Sequence, residues 1–513
     1  MTSSPDWKVL AVIAGAGFAV QLGSTLVGGV FGYSYFIDEL YYVACARNLD
    51  FGYVDHPPIA PLLLRAVLAV FGDSVLAIRI PSAMAAALTV LLTGWLTARW
   101  GGGRFAQALS SLAVLVAPVF LVMFNFFSMN SLEILLWTSC LAILVVLVDR
   151  QDPRLWLAFG AVSGVALETK HTVALLAFGA VAGLLLTSRR RLLWSPWLLA
   201  GGALAFVLFL PNLLWQMDHD FPSLEFYRNA TSLKNQPIPP LQVLKNQVLF
   251  MGPVTLPLWL AGLYVCLWKR PSHRFIAWAY LVLLSLLVLS ASSRPDRIAG
   301  LYPVLFASGA TFLEERLRSS GARVLAFAIL ALGGAFFAPM FLPILPPRTA
   351  AEFVAFLGLD TQIERGEGKR AELPQWLADR FGWEELADQV RAIYASLPEE
   401  ERRGATILAP SYGQAGALEL LGGEALPPVI SPHNNYHLWG RERVSRLSRG
   451  IAISLDFDEE DLARIYGKVE RVAVHDCNFC MSWRDLMPIY VAREPKLSPE
   501  QLAPLWEESR HFE

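Results

Sequence analysis

Long apolar runs dominate the first two thirds of the chain and then stop. Segments 9–31, 75–98, 105–124, 131–148, 155–167, 173–187, 192–215, 243–268, 275–292, 298–313 and 324–345 carry almost no charge. A helix of roughly 17 to 25 apolar residues spans a hydrocarbon core of about 30 Å, so the pattern predicts about eleven transmembrane helices. Two of them, 155–167 and 173–187, are short enough to form a tilted hairpin. After Pro346-Pro347 the periodicity changes. Helical patterns at 383–397, 413–421 and 459–466 alternate with strand patterns at 406–409, 451–455, 469–474 and 489–492, which reads as a small α/β sandwich. The predicted fold is a mainly α, polytopic membrane domain, 1–348, followed by a soluble α/β domain, 349–513.

Composition agrees with a bilayer as solvent: 55% of residues are apolar, 17% are charged and the mean hydropathy is +0.44. The net charge of −2 conceals a division, about +8 on residues 1–348 and about −10 on the remainder. Every second connection between apolar runs is basic: Arg99 and Arg104, Arg150 and Arg154, Arg189-Arg190-Arg191, Lys269-Arg270 with Arg274, and Arg316 with Arg318 and Arg323. Basic loops stay in the cytoplasm. The amino terminus is therefore expected inside, the first segment acts as a signal anchor, and an odd number of crossings puts the acidic carboxy-terminal domain outside an inner (plasma) membrane. No small-residue cleavage site precedes the loop at Asp38.

With this topology the outer connections hold nearly all the polar residues that are not membrane anchors: Asp38, Glu39, Asp55, His56, Asn130, Glu133, Glu168, Lys170, His171, Asp218, His219, Arg294, Asp296 and Arg297. Ionisable groups at membrane depth are costly, and their collection on one side from distant parts of the chain predicts one outward-facing cavity. Each also has an ordinary role. Asp38-Glu39 can cap a helix, His56-Pro57-Pro58 can start one, Lys170 can snorkel, His219 can be a plain loop residue, and Arg294 and Arg297 can meet any lipid headgroup.

Two carboxylates, a histidine and several cations at headgroup level suit an acceptor hydroxyl attacking a sugar whose leaving group is a lipid phosphate. One carboxylate takes the proton, and cations or a divalent metal (Mg, Mn or Zn) stabilise the departing phosphate. A non-enzymatic transporter or lipid-linked sugar flippase is the alternative, but a pathway places polar groups at several depths. A polymerase or ligase acting on a lipid-linked oligosaccharide uses a similar cavity. No phosphate-cradling glycine loop or nucleic-acid signature is evident.

The run Asp38-Glu39-Leu40-Tyr41-Tyr42, followed by Gly52-Tyr53-Val54-Asp55-His56-Pro57-Pro58, resembles the first outer loop of the dolichyl-phosphate-mannose protein mannosyltransferase-like superfamily, which comprises glycosyltransferase family 39 and its aminoarabinose transferase relatives. Arg79-Ile80-Pro81-Ser82, Ser128-Met129-Asn130 with Trp137, Thr169-Lys170-His171-Thr172 and Leu301-Tyr302-Pro303 with Leu305 and Gly309 resemble later motifs of the same group. The resemblance implies a GT-C fold and an inverting transfer from a polyprenyl-phosphate-linked sugar to a glycan, lipid or protein acceptor at the outer face. On it, Asp38 matches the catalytic base and Glu39 the acid that follows. Asp55-His56 stands where aminoarabinose transferases carry Glu-Lys, which assigns Asp55 to a metal and His56 to the donor phosphate. His219 is the expected second metal ligand. Lys170, Arg294 and Arg297 are expected to join His56 at the phosphate, with Tyr41, Asn130, Glu133 and His171 completing the cavity.

Among five cysteines only Cys477 and Cys480 are close in sequence, and in an oxidising compartment a short-loop disulfide is expected there. His475, Cys477 and Cys480 are alternatively three zinc ligands. The loop 431–440 is rich in groups that stack on sugars, and Ser411-Tyr412-Gly413 stands at a strand-to-helix junction where anions can bind.

Overall fold

The computed structural model describes residues 3–234, 237–292, 294–358 and 371–513. Each of the eleven apolar segments corresponds to a helix or a broken pair of helices, but they differ in length. Among the described residues six helices are long and apolar enough to cross a membrane: Trp7–Val30, Val75–Arg99, Met129–Arg150, Pro196–Asp218, Pro271–Leu289 and Ser320–Phe341. Segment 243–268 is broken into Pro240–Met251 and Pro253–Lys269, bent by 86° at Gly252, and makes a seventh span if counted whole. Four apolar helices, Ile59–Phe71, Arg104–Val116, Leu155–Leu167 and Val173–Leu185, are only 13 residues long. At 1.5 Å per residue each covers about 20 Å, so the figure of about eleven crossings does not follow from length alone.

Between apolar helices in lipid the hydrophobic effect adds little, and close backbone approach supplies much of the packing. The helices Leu256–Tyr264 and Tyr302–Arg316 show how. A Cβ on Gly262 would lie 2.0 Å from the Leu305 carbonyl oxygen, and one on Gly309 would lie 1.9 Å from that of Leu258. Two glycines facing opposite ways thus set the separation of the pair.

The carboxy-terminal region holds five strands: β1 (Thr406–Leu408), β2 (Val429–Ile430), β3 (Ala452–Leu455), β4 (Tyr466–His475) and β5 (Met487–Pro495). They form a sheet of order β2-β1-β3-β5-β4. β1 pairs in parallel with β2 and β3, while β5 runs antiparallel to β3 and β4. Every residue of β1 and β3 is buried, as expected of central strands, whereas β4 lies at the edge and exposes Lys468 and Glu470. The predicted strands at 406–409, 451–455, 469–474 and 489–492 correspond to β1, β3, β4 and β5. Two elements escaped the sequence pattern. β2 is two residues long, too short to show alternation, and the stretch read as a loop at 431–440 contains the helix Asn434–Gly440, which has no apolar periodicity. Cys477 and Cys480 lie side by side with Cα atoms 5.9 Å apart, and no group of three metal-ligating side chains is found among the described residues.

Candidate active site

The site begins with a short helix, Ile37–Arg47, that sends two successive acids to different surroundings. Glu39 points inward and has no exposed area. Its Oε1 accepts from Arg79 Nε at 2.8 Å and from the Phe127 amide at 2.9 Å; its Oε2 accepts from Arg79 Nη2 and the Phe36 amide, both at 2.8 Å. Arg79 is also buried and donates further to the Ser34 carbonyl at 3.0 Å. A carboxylate with four close donors and no path to solvent is a structural anchor. The expectation that Glu39 is catalytic is corrected accordingly. Asp38, one residue earlier, faces a cavity of about 870 Å³, and its Oδ1 accepts from the Tyr412 hydroxyl at 3.0 Å.

Asp55 lines the same cavity and accepts from the Tyr41 hydroxyl at 2.9 Å. His56 does not line it. Its ring is fully buried, stacked on Tyr42 at 4.6 Å, with Nδ1 3.0 Å from the Pro57 carbonyl oxygen and Nε2 3.9 Å from Asp55. A ring sealed behind the wall does not face the space that Lys170, Arg294 and Arg297 line, so the donor-phosphate contact expected of it is not supported. His219 is likewise outside the lining: it stacks on Trp215 at 4.1 Å and its Nδ1 meets the Trp215 carbonyl oxygen at 2.9 Å. Asp55 thus lacks its expected partner, and among the described residues no three His, Cys, Asp or Glu side chains converge. The donor set does not fit a metal held by the protein alone.

The cationic end of the cavity is made by Lys170, Arg294 and Arg297, with Asn130, His171 and Asp296 beside them. Lys170 Nζ donates to Asn130 Oδ1 at 2.7 Å and to Glu133 Oε2 at 2.6 Å. Glu133 is buried behind Lys170 and also accepts from the Thr172 hydroxyl. Arg294 Nε lies 3.2 Å from Asp296 Oδ1. Burial pushes the Asp296 carboxyl up, but Arg294, Lys170 and Arg297 together outweigh it and hold the group below the usual carboxylate range. Burial and then the neighbouring Arg294 charge lower the pKa of Arg297. His171 makes contacts through both nitrogens, at 2.9 Å to Tyr227 Oη and 2.9 Å to Asn212 Oδ1, and burial pushes its pKa down, favouring the neutral ring. Three cations against the two carboxylates Glu133 and Asp296 leave one formal positive charge at this end. Val122, Met123, Phe126, Leu175, Phe226 and Leu233 supply an apolar wall to the same space.

Several lining residues lay outside the sequence-based set: Tyr227, Asp379, Tyr412, His433, Arg484 and His511. Ser411-Tyr412-Gly413 stood out only as a turn able to hold an anion, whereas the structure turns the tyrosine toward Asp38. Of the loop 431–440, His433 and Asn434 line the cavity, while Asn435, Tyr436 and His437 do not.

Residues 55–215 match the family model of dolichyl-phosphate-mannose-protein mannosyltransferases. A lipid A galacturonosyltransferase of Rhizobium johnstonii is 28% identical over 192 residues, which is 36% of this chain and 39% of that protein. The match thus spans well under half of the curated relative. Two crystal structures of ArnT from Cupriavidus metallidurans share the fold along nearly the whole length. One, bound to undecaprenyl phosphate, has a TM-score of 0.62 at 17% identity and covers 96% of this chain and 98% of that one. The other, in the apo state, has a TM-score of 0.64 at 17% identity and covers 95% and 98%. The chain shares the GT-C fold of these structures, and its residues 55–215 are similar to the mannosyltransferase family. Its long apolar helices make it an integral membrane protein, and the curated relative that it matches in part is named as a glycosyltransferase.

Two stability measurements follow for this GT-C chain. Glu39→Gln leaves Arg79 buried without its counter-charge and is expected to cost about 3–5 kcal/mol, read as a lowered melting temperature in detergent, while Asp38→Asn leaves melting near that of the parent. An Asp38→Asn variant that melts as early as Glu39→Gln would contradict the division of labour. Glu168, at the carboxy-terminal end of Leu155–Leu167, is pushed up by burial to about 7, with the Asn212 amide only partly opposing. A raised folded-state pKa gives stability that is present below the ordinary value of 4.5 and is lost as pH rises through about 7. Glu168→Gln is therefore expected to melt later than the parent at pH 8 and to lose that advantage near pH 4. Equal melting of the two proteins at pH 8 would contradict the burial cost.

Proposed function

We propose that this protein is a membrane glycosyltransferase that moves a sugar from a polyprenyl-phosphate donor to an acceptor hydroxyl at the outer face of the membrane, with inversion at the anomeric carbon and Asp38 as general base. The observation that carries the reading is one cavity lined by Asp38, by the cations Lys170, Arg294 and Arg297, and by apolar side chains. A sugar joined to a lipid monophosphate is a phosphodiester with one negative charge, which the net single positive charge of the cluster complements. The undecaprenyl phosphate named with one ArnT structure supports a donor of this class.

In the step itself, the acceptor oxygen bonds to the anomeric carbon as the bond from that carbon to the phosphate oxygen breaks. The acceptor proton passes to the Asp38 carboxylate, and the bond electrons leave with the polyprenyl phosphate, which gains a negative charge. Preorganised cations favour exactly that charge development, since they act in a partly buried site where solvent screening is weak. A single displacement inverts the configuration. In this reading the amino terminus is cytoplasmic, and the cavity and the domain at 349–513 are extracytoplasmic.

Asp38→Asn removes the proton acceptor and is expected to lower turnover about 10²–10⁴-fold in purified protein supplied with polyprenyl-phosphate sugars and membrane-derived acceptors. Near-parent turnover in this variant would remove Asp38 as base. Because fixed cations receive the leaving phosphate, EDTA is expected to leave turnover unchanged; loss on chelation with recovery on adding Mg²⁺ or Mn²⁺ would show that the donor brings a metal with it.

A further inference from the structure

The proposed base is held by a residue from the far part of the chain. Tyr412 opens the helix Tyr412–Leu421, directly after β1, with Ser411 capping it through a bond from the Gly413 amide. Two glycines then bring this helix onto the one that carries Asp38. A Cβ on Gly413 would sit 2.5 Å from Ile37 Cγ1, and one on Gly416, a turn later on the same face, 2.9 Å from the Leu40 backbone. Those contacts flank Asp38 on both sides in sequence. The Tyr412 ring is buried between Tyr41, at 4.9 Å, and His433, at 4.7 Å, so its hydroxyl has a defined direction, toward Asp38 Oδ1 at 3.0 Å. A second tie lies nearby. Asn435 Oδ1 accepts from the Val54 amide at 2.7 Å, next to Asp55.

We propose that Tyr412 is a positioning residue for glycosyl transfer: its hydroxyl orients the Asp38 carboxylate, and the carboxy-terminal domain is thereby a working part of the active site. The proposal rests on the reading of Asp38 as base. A phenol donating to one carboxylate oxygen fixes the plane of the group and stabilises the ionised form, which is the form able to take a proton. Because Tyr412 acts through Asp38, it affects the chemical step and leaves donor and acceptor binding alone.

Tyr412→Phe keeps the ring between Tyr41 and His433 and removes only the hydroxyl. It is expected to lower kcat about 10-fold or more, with KM for donor and acceptor within about twofold and an unchanged melting temperature. In the Asp38→Asn background the same change is expected to have no further effect on residual turnover, because two residues acting as a unit are not additive. A Tyr412→Phe enzyme with parent kcat, or one whose loss lies in KM, overturns the proposal, as does an equal further loss in the double variant. Asp38→Asn alone, run in the same assay, separates the two ideas: if it is inactive while Tyr412→Phe is normal, only the tyrosine's role fails, and if it is active the base itself is wrong.

Discussion

The buried pair of Glu39 and Arg79 is the constraint on which the site depends. Removing two charges from water is expensive, and the cost is offset only because the guanidinium meets both carboxylate oxygens and two backbone amides complete their shell. The pair joins three pieces of chain: the helix Ile37–Arg47, the long helix Val75–Arg99, and the turn at Phe127 that leads into Met129–Arg150. The first carries Asp38, and the last carries Asn130 and Glu133, which hold Lys170. Asp38 and Lys170 are therefore positioned from one anchor.

The remaining charges divide by what stands behind them. Lys170 and Arg294 each face the cavity with a carboxylate partner at 2.6 Å and 3.2 Å, so their side chains are held in place before any ligand arrives. Arg297 adds the charge that those carboxylates do not balance. On the acidic side Asp38 and Asp55 each accept from a tyrosine hydroxyl, which orients a carboxylate without neutralising it. Ion pairs preorganise one part of the wall and neutral donors the other, a distribution suited to receiving an anion at the first and a proton at the second.

Much of this was legible in the chain. Apolar runs located the helices, because a membrane-facing surface must be apolar along its whole length, and one-sided clustering of ionisable residues pointed to Asp38, Lys170, Arg294 and Arg297. The misassigned residues share a cause. Glu39, His56 and His219 belong to residue types that serve equally as reactive groups and as buried partners, and only the packing of distant segments distinguishes the two. For Glu39 that packing is Arg79; for His56 it is the tyrosine cluster of Tyr41, Tyr42 and Tyr53. Tyr412 is 374 positions from Asp38, a separation no local pattern records.

The central claim is that one cavity brings a lipid phosphate to three cations while Asp38 faces the sugar. Cryo-electron microscopy of the protein in nanodiscs with added polyprenyl phosphate tests it most directly. The account predicts phosphate density against Lys170, Arg294 and Arg297, with the prenyl chain along Val122, Phe126 and Leu175 and the Asp38 carboxylate facing the space beyond the phosphate. Phosphate density at His56 or His219, or anywhere outside this cavity, would contradict it.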